Sequence, residues 1–169
     1  MPPVHQLPND NSNKYKILFV CLGNICRSPA AQGIMEKMIA DQGLQDRFYV
    51  DSAGTYGGHN GSLPDERMRI HARRRGYELT HLSRQVTGHD FETFDLIVIM
   101  DKNNLHGLRC MKDVVDERKV VEIARYLRMH PGHDSVPDPY YDGAEGFELV
   151  LDLLEDACHG LLDELCRTV

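Results

Sequence analysis

The sequence of 169 residues contains no tryptophan, and only 7% of its residues are aromatic. No apolar run approaches the roughly 20 residues that a membrane-spanning helix needs. Positive charge is also scarce, because 26 aspartates and glutamates outnumber 19 lysines and arginines and leave a net charge of −7. Such a chain is a poor general ligand for nucleic acids and anionic membranes. Any anion that it binds must therefore be held by a local site.

The spacing of the cysteines excludes two common uses of this residue. There are five cysteines, and no two of them form a C-x-x-C pair. An odd number in a chain without an export signal argues against a disulfide framework, and the missing pairs argue against a zinc ribbon. The first 14 residues are polar and lack the apolar core of a signal peptide. We therefore expect residues 1–14 to form a disordered leader and the protein to be cytoplasmic.

Strand-like and helix-like segments alternate from residue 16 onward. Short apolar runs, which are typical of strands buried on both faces, lie at 17–20, 48–50, 96–100 and 120–123. Apolar residues at helical spacing or helix-opening signals predict helices at 29–43, 64–76, 101–111 and 144–167. The pattern predicts one α/β domain over residues 15–169, a three-layer sandwich whose four-stranded parallel sheet is flanked by helices on both faces.

One loop between the first predicted strand and the first predicted helix carries the candidate chemistry. This anion loop (residues 21–28) reads Cys21-Leu22-Gly23-Asn24-Ile25-Cys26-Arg27-Ser28. Successive backbone N–H groups at the start of a helix form a concavity that binds anions, and Arg27 adds a planar fork of donors. Positive surroundings favour a thiolate, so Cys21 is the candidate nucleophile. Ser28, which precedes Pro29, is predicted to cap the helix and to donate a hydrogen bond to the sulfur.

The loop by itself leaves an alternative open. A Cys-x5-Arg spacing recurs by chance, so the segment is also compatible with a nucleotide-type turn that contains an incidental buried cysteine. A strand before the loop, a glycine inside it and Ser-Pro after it favour the catalytic interpretation. A Walker-type loop is excluded, because no Gly-Lys-Ser/Thr follows the turn.

The segment from Val20 to Pro29 resembles the signature loop of the low-molecular-weight protein tyrosine phosphatases. Further segments match in the family's order, at 50–55, 81, 84–85, 94–96 and 138–141. The resemblance covers nearly the whole chain after residue 14. It implies hydrolysis of phosphotyrosine in proteins, and of small aryl phosphates, through a phosphocysteine and without a metal or other cofactor.

The resemblance also implies roles for individual residues. Cys21, Arg27 and Asp138 would be catalytic, and residues 22–28 would bind the phosphate. Asp-Pro is ordinarily a turn, so the role of Asp138 as the acid rests on the resemblance.

A second set of residues would support the anion loop. The resemblance implies a hydrogen-bond network of Asn24, Ser28, Ser52 and His81. Without the resemblance, Ser52 is interpreted as a strand-end hydroxyl and His81 as a half-buried histidine.

The walls of the pocket are less regular. Tyr140 and Tyr141 would line its mouth, as such rings do in the family, although one of the two is expected to serve simple packing. On the opposite wall, Gly58 occupies the position where bacterial relatives often carry an aromatic residue. Either Tyr56 replaces that ring, or the pocket is more open and its preference for phosphotyrosine is weaker.

Cys26 would be a redox guard by the same resemblance, since a second thiol can trap an oxidised Cys21 as a disulfide. The alternative is a small residue that fills space beneath the loop. The implied partners are proteins that contain phosphotyrosine, with inhibition by phosphate-like oxyanions. We expect a monomer or weak homodimer that binds neither nucleic acid nor membrane.

Three other functions stay open at this point. A protein-arginine phosphatase uses a similar scaffold, but such relatives tend to carry Thr at the position of Ile25. An arsenate reductase needs further cysteines to relay a disulfide, and only Cys110 lies in the middle of the chain. A silent phosphopeptide-binding module is disfavoured because Cys21 and Asp138 are both present.

Overall fold

Four parallel strands form the centre of the computed structural model, which describes residues 13–111 and 115–169. The strands are β1 (Tyr15–Cys21), β2 (Phe48–Gly54), β3 (Leu96–Ile99) and β4 (Val120–Glu122), in the order β2-β1-β3-β4. The helices are α1 (Arg27–Asp41), α2 (Glu66–Arg74), α3 (Gly88–Thr93), α4 (Lys102–Arg109) and α5 (Ala144–Thr168).

The side chains of β1 alternate between two hydrophobic cores, as the period of a strand requires. Ile17 and Phe19 are fully buried in a core that contains residues of α1, α2 and α5. Leu18 and Val20 are fully buried in a second core, on the other face, with residues of α3 and α4. The predicted three-layer α/β sandwich is therefore confirmed.

Two local predictions were wrong. Helix α1 already begins at Arg27, with Cys26 as its N-cap residue, so Ser28 lies inside the helix and does not cap it. The reason is that the backbone of the anion loop runs directly into the helix, which leaves the Ser28 hydroxyl free to face the sulfur. Strand β4 ends at Glu122, and Ile123, which was expected in the strand, begins a 3₁₀ helix and is fully buried.

The short helix α3 was not predicted. Its six residues are too few to show an apolar stripe of helical period. The available signal was the capping box of Thr87 and Asp90, in which each side chain receives a backbone N–H of the other residue.

The strand order determines where a ligand can bind. The chain leaves β1 for β2 on one side and later returns to β3 on the other side, which makes the gap between β1 and β3 a topological switch point. Cys21 ends β1, and Asp101 follows β3 by two residues. Residues 1–12 of the predicted leader lie outside the described residues. Within the described segments, no helix has both the length and the apolarity to cross a bilayer.

Candidate active site

The anion loop is pressed against the end of β2. Asn24 has a left-handed backbone conformation, with φ of 56°, which asparagine tolerates better than most residues. A Cβ atom at Gly54 would lie 2.6 Å from the carbonyl oxygen of Leu22 and 3.0 Å from the nitrogen of Asn24, so only glycine permits this approach. The amide of Thr55 donates to the carbonyl of Cys21 over 3.0 Å. Gly54 was not identified from the sequence as a site residue.

The sulfur of Cys21 lies at the bottom of this loop. The side chain is only 2% exposed, and its Sγ is 3.0 Å from the hydroxyl oxygen of Ser28. The backbone N–H of Ser28 donates to the same sulfur over 3.4 Å. Ser28 therefore contacts the sulfur with two groups, which places the hydroxyl where the sequence predicted a donor.

The buried side chain of Asn24 forms hydrogen bonds to four other residues. Its Oδ1 accepts the backbone N–H of Arg84 over 3.0 Å, and this contact identifies the oxygen because an N–H can only donate. The amide nitrogen therefore donates to the hydroxyls of Ser28 (2.7 Å) and Ser52 (3.0 Å). Since the same Oδ1 is 2.9 Å from Nε2 of His81, that ring nitrogen must carry the proton. The four predicted support residues thus form one continuous network.

The network extends to residues that the sequence did not indicate. Ser52 donates its hydroxyl to Oε1 of Gln32 over 2.7 Å. Nδ1 of His81 lies 3.4 Å from the carboxylate of Asp51, which Arg84 also contacts at 3.1 Å. Burial lowers the pKa of His81 below its ordinary value of 6.5, with a further contribution from Arg84 and against the attraction of Asp51. A backbone hydrogen bond with Ser52 also favours the charged ring, but burial outweighs the contributions of Asp51 and Ser52.

Two hydrogen bonds fix the orientation of the Arg27 guanidinium. Only 3% of the side chain is exposed, and its Nη1 donates to Asp101 over 2.6 Å and to the carbonyl of Val136 over 3.1 Å. Burial by itself lowers the pKa of Arg27, but the charge of Cys21 and the hydrogen bond to Asp101 outweigh it and raise that pKa. No signal in the sequence indicated this role of Asp101.

Asp138 reaches the pocket from the loop between Leu127 and Gly143, the 127–143 loop. Its Oδ2 lies 3.7 Å from Nη2 of Arg27, and 42% of its side chain is exposed. Its Oδ1 accepts the backbone N–H of Tyr140 over 3.0 Å. The carboxyl thus stands at the edge of the pocket, on the side of the guanidinium.

These groups surround one pocket of about 270 Å³. The residues that line it are Cys21, Leu22, Gly23, Ile25, Cys26, Arg27, Tyr56, His59, Asp138, Tyr140 and Tyr141. Asn24, Ser28, Ser52 and His81 are absent from this lining and lie in the supporting network. A pocket of this size, with a sulfur, a guanidinium and a carboxyl around it, can hold a tetrahedral oxyanion that carries a flat substituent.

One wall of the pocket depends on a glycine. Gly58 does not line the pocket, whereas Tyr56 and His59 do. A Cβ atom at position 58 would overlap with the ring and hydroxyl of Tyr56, so the tyrosine occupies the space that a side chain there would need. The ring of His59 packs edge-on against Tyr56 at 6.0 Å. His59 was not predicted as a wall residue, because a single histidine in a glycine-rich loop gives no specific signal.

The groups around the pocket do not form a metal centre. Across the described parts of the chain, no three histidine, cysteine, aspartate or glutamate side chains cluster in a way that could hold a metal ion.

Comparisons with known proteins agree with this geometry. Residues 16–169 match the family model described as low molecular weight phosphotyrosine protein phosphatase. A putative low molecular weight protein-tyrosine-phosphatase of Synechocystis is 47% identical over 151 residues, which cover 89% of this chain and 96% of that protein. The human low molecular weight phosphotyrosine protein phosphatase is 38% identical over 149 residues, with 88% and 94% covered. The structure of a protein tyrosine phosphatase from Entamoeba histolytica, with Hepes in its active site, superimposes with a TM-score of 0.85 at 42% identity and covers 92% of this chain and 99% of that one.

Proposed function

This chain belongs to the low molecular weight phosphotyrosine protein phosphatase family, and we propose that it hydrolyses phosphotyrosine in proteins through a phosphocysteine on Cys21. One observation carries the proposal: Asp138, which is distant in sequence from the anion loop, lines the same pocket as Cys21 and Arg27 of that loop. Each of the three supplies a different part of the reaction.

In the first step, the thiolate of Cys21 attacks phosphorus and forms an S–P bond while the P–O bond to tyrosine breaks. The backbone N–H groups of the anion loop and the guanidinium of Arg27 hold the three other phosphate oxygens. Asp101 and the carbonyl of Val136 orient Arg27 for this task, because each accepts a hydrogen bond from its Nη1. The contacts from Ser28 stabilise the sulfur as a leaving group for the second step.

Asp138 transfers the protons. As a carboxylic acid it protonates the departing phenolate oxygen, and as a carboxylate it then removes a proton from the water that attacks the phosphocysteine. Its position at the edge of the pocket, 3.7 Å from Arg27, places it on the open side, where the tyrosine ring leaves and water enters. The products are the dephosphorylated tyrosine side chain of the substrate protein and inorganic phosphate, and Cys21 returns to the thiolate.

Cys26 keeps its proposed role as a redox guard. Burial is the main cause that raises the pKa of the Cys26 thiol, and the negative charge of Asp65 is the next largest. The thiol therefore stays protonated and does not compete with Cys21 as a nucleophile. After a peroxide has oxidised Cys21 to a sulfenic acid, the Cys26 thiol can condense with it to a disulfide, and water is released.

Several expectations about the setting accompany this function. All five cysteines are free, which is typical of a reducing compartment and supports a cytoplasmic location. The aromatic lining by Tyr56 and Tyr140 supports an aryl ester as the substrate. The branched side chain of Ile25 lies in the same lining and favours phosphotyrosine over phosphoarginine. Cys110 is exposed and free, and no other cysteine lies near it along the chain, which disfavours arsenate reduction.

The test is turnover of phosphotyrosine peptides by the wild type and by Cys21→Ser. We expect the serine variant to lose activity by at least about 10³-fold, because an alkoxide does not form there at neutral pH. Phosphoserine and phosphoarginine peptides serve as controls for substrate class. Retained turnover in Cys21→Ser would refute the covalent mechanism. A preference for phosphoarginine peptides would show that phosphoarginine, and not phosphotyrosine, is the substrate.

The acid is tested by Asp138→Ala with two aryl phosphates. We expect a loss in kcat/KM of about 10²-fold or more for phenyl phosphate and a much smaller loss for p-nitrophenyl phosphate, whose leaving group needs no proton. Equal losses for both substrates would remove Asp138 from the role of the acid.

A further inference from the structure

The start of α2 contacts both loops of the active site. The backbone N–H of Asp65 donates to the carbonyl of Ile25, in the anion loop, over 2.7 Å. Two residues later, Nη2 of Arg67 donates to the carbonyl of Tyr140, in the 127–143 loop, over 2.9 Å. A short segment therefore connects the loop that holds the nucleophile with the loop that holds the acid.

The guanidinium of Arg67 is held in one orientation. Asp65 accepts from its Nε over 3.1 Å and from its Nη2 over 3.0 Å, which is the two-pronged pairing that fixes an arginine plane. The same guanidinium lies 4.8 Å from the ring centre of Phe147 and 5.5 Å from that of Tyr140. A lysine at this position could not reproduce both the fork and the stacking.

Tyr140 transmits this restraint to the acid. Its carbonyl accepts from Arg67, and its backbone N–H donates to Oδ1 of Asp138 over 3.0 Å. Upstream of Asp138, the amide of Val136 is anchored to the carbonyl of Met100 over 3.0 Å. Asp138 thus lies between an anchor at Val136 and an anchor at Tyr140, and Arg67 provides the second one.

We infer that Arg67, braced by Asp65, is a positioning residue that holds the carboxyl of Asp138 over the anion loop. Arg67 does not line the pocket, so it acts through Tyr140 and not on the phosphate. The inference rests on the proposed function, because it assigns Arg67 to the proton transfer of that reaction. Without Arg67, the 127–143 loop keeps its upstream anchor but loses the restraint next to the acid.

The first experiment measures kcat/KM of Arg67→Met with phenyl phosphate and p-nitrophenyl phosphate. A misplaced acid slows only the reaction that needs its proton, so we expect about a tenfold loss with phenyl phosphate and less than about a twofold loss with p-nitrophenyl phosphate. Inhibition by inorganic phosphate should stay at the wild-type level, since the anion loop is intact. Equal losses for the two substrates would overturn the inference.

A double-mutant cycle separates positioning from a general structural effect. If Arg67 acts through Asp138, Arg67→Met should cause no further loss with phenyl phosphate when Asp138→Ala is already present. Losses that multiply in the double variant would show that Arg67 acts by another route, and the inference would fall.

Two further variants complete the design. Arg67→Lys keeps a donor and the charge, so we expect it to retain more of the phenyl phosphate activity than Arg67→Met does. If Arg67→Met does not fold, the same measurements are made on Arg67→Lys. Arg73→Met is the matched control, because Arg73 is on the same helix and, among the residues that the structure describes, pairs with exposed Glu78 alone, at 2.8 Å. We expect it to behave as the wild type. The same leaving-group effect in Arg73→Met would overturn the inference, because the loss of one positive charge would then explain the effect of Arg67→Met.

The outcome for Cys21→Ser distinguishes a failure of the positioning role of Arg67 from a failure of the proposed function. If Cys21→Ser is inactive and Arg67→Met shows no leaving-group effect, only the positioning role fails. If Cys21→Ser retains activity, the proposed function itself fails.

Discussion

Asn24 shows how much of the site depends on one side chain. It is fully buried, has a left-handed backbone, and uses its amide to contact Ser28, Ser52, His81 and the backbone of Arg84. An aspartate would present two oxygens to the hydroxyls and could not donate to either of them. The shape of the anion loop therefore depends on a side-chain amide whose nitrogen and oxygen both have hydrogen-bond partners.

The proton on His81 gives this network a pH dependence. The unfolded chain takes up a proton on His81 near its ordinary pKa of 6.5, whereas the folded protein does so only at lower pH. Between the two pKa values the unfolded state binds more protons, so the contribution of a neutral His81 to stability is complete above pH 6.5 and is lost as the pH falls through the folded pKa.

We therefore expect the free energy of unfolding of the wild type to decrease more between about pH 7.5 and about pH 5.5 than that of His81→Gln. Glutamine can donate to Asn24 but does not titrate. Urea unfolding at the two pH values measures the difference. The same pH dependence in both proteins would contradict a neutral His81 in the network.

Among the elements, α5 is the longest, with 25 residues, and it packs against α1, α2 and the 3₁₀ helix Ile123–Tyr126. Its close approach to that 3₁₀ helix depends on Gly160, where a Cβ atom would overlap with the carbonyl oxygen of Tyr126. Because that oxygen belongs to the backbone, it cannot rotate away as a side chain could. The 127–143 loop starts just after this contact.

Gly160→Ala tests this contact. Alanine normally stabilises a helix interior by about 1 kcal/mol relative to glycine. Here we expect the free energy of unfolding to fall by about 1–3 kcal/mol, because the added methyl group overpacks a backbone contact.

Gly33→Ala is the matched control on α1. A Cβ atom at Gly33 would lie 2.6 Å from Cδ2 of Leu79, the end of a flexible side chain that can move. We expect a change within about 1 kcal/mol in thermal or urea unfolding. Equal destabilisation of both variants would contradict the expectation that the backbone contact at Gly160 tolerates an added methyl group less well than the side-chain contact at Gly33.

At the scale of the whole molecule, the anion site joins parts that only the folded sheet brings together. Arg27 pairs with Asp101, which is 74 positions away, and donates to Val136, which is 109 positions away. An oxyanion on this site therefore binds the folded protein and not the unfolded chain. Ligand binding and folding are linked for that reason.

We expect inorganic phosphate to stabilise the protein through this linkage. At free phosphate about 100-fold above its Kd, the free energy of unfolding should rise by about 2.7 kcal/mol. The measurement is thermal unfolding with and without phosphate, at matched ionic strength in chloride. In Arg27→Ala the increment should largely disappear, and an equal increment in both proteins would indicate a general salt effect.

The family resemblance and the α/β architecture were available from the sequence because their signals are local. Strand β1 is one apolar run, and the anion loop follows it without interruption, so strand, loop and helix are encoded in 27 consecutive residues, from Tyr15 to Asp41. The errors were local too. Ser28 is not the N-cap because the backbone of the anion loop already enters the helix at Arg27, and the six residues of α3 are too few for a periodic signal.

The sequence by itself determined the nature of the anion loop, since Cys21 and Arg27 are separated by five residues whose backbone must turn at the end of a buried strand. The tertiary structure alone decided which distant groups meet them: Asp101 beneath Arg27, the wall formed by Tyr56, and Arg67 against Tyr140. The physical reason is the strand order β2-β1-β3-β4, which brings the ends of β1 and β3 together. Contacts of that kind depend on sheet pairing and on the packing of loops, and no spacing along the chain encodes them.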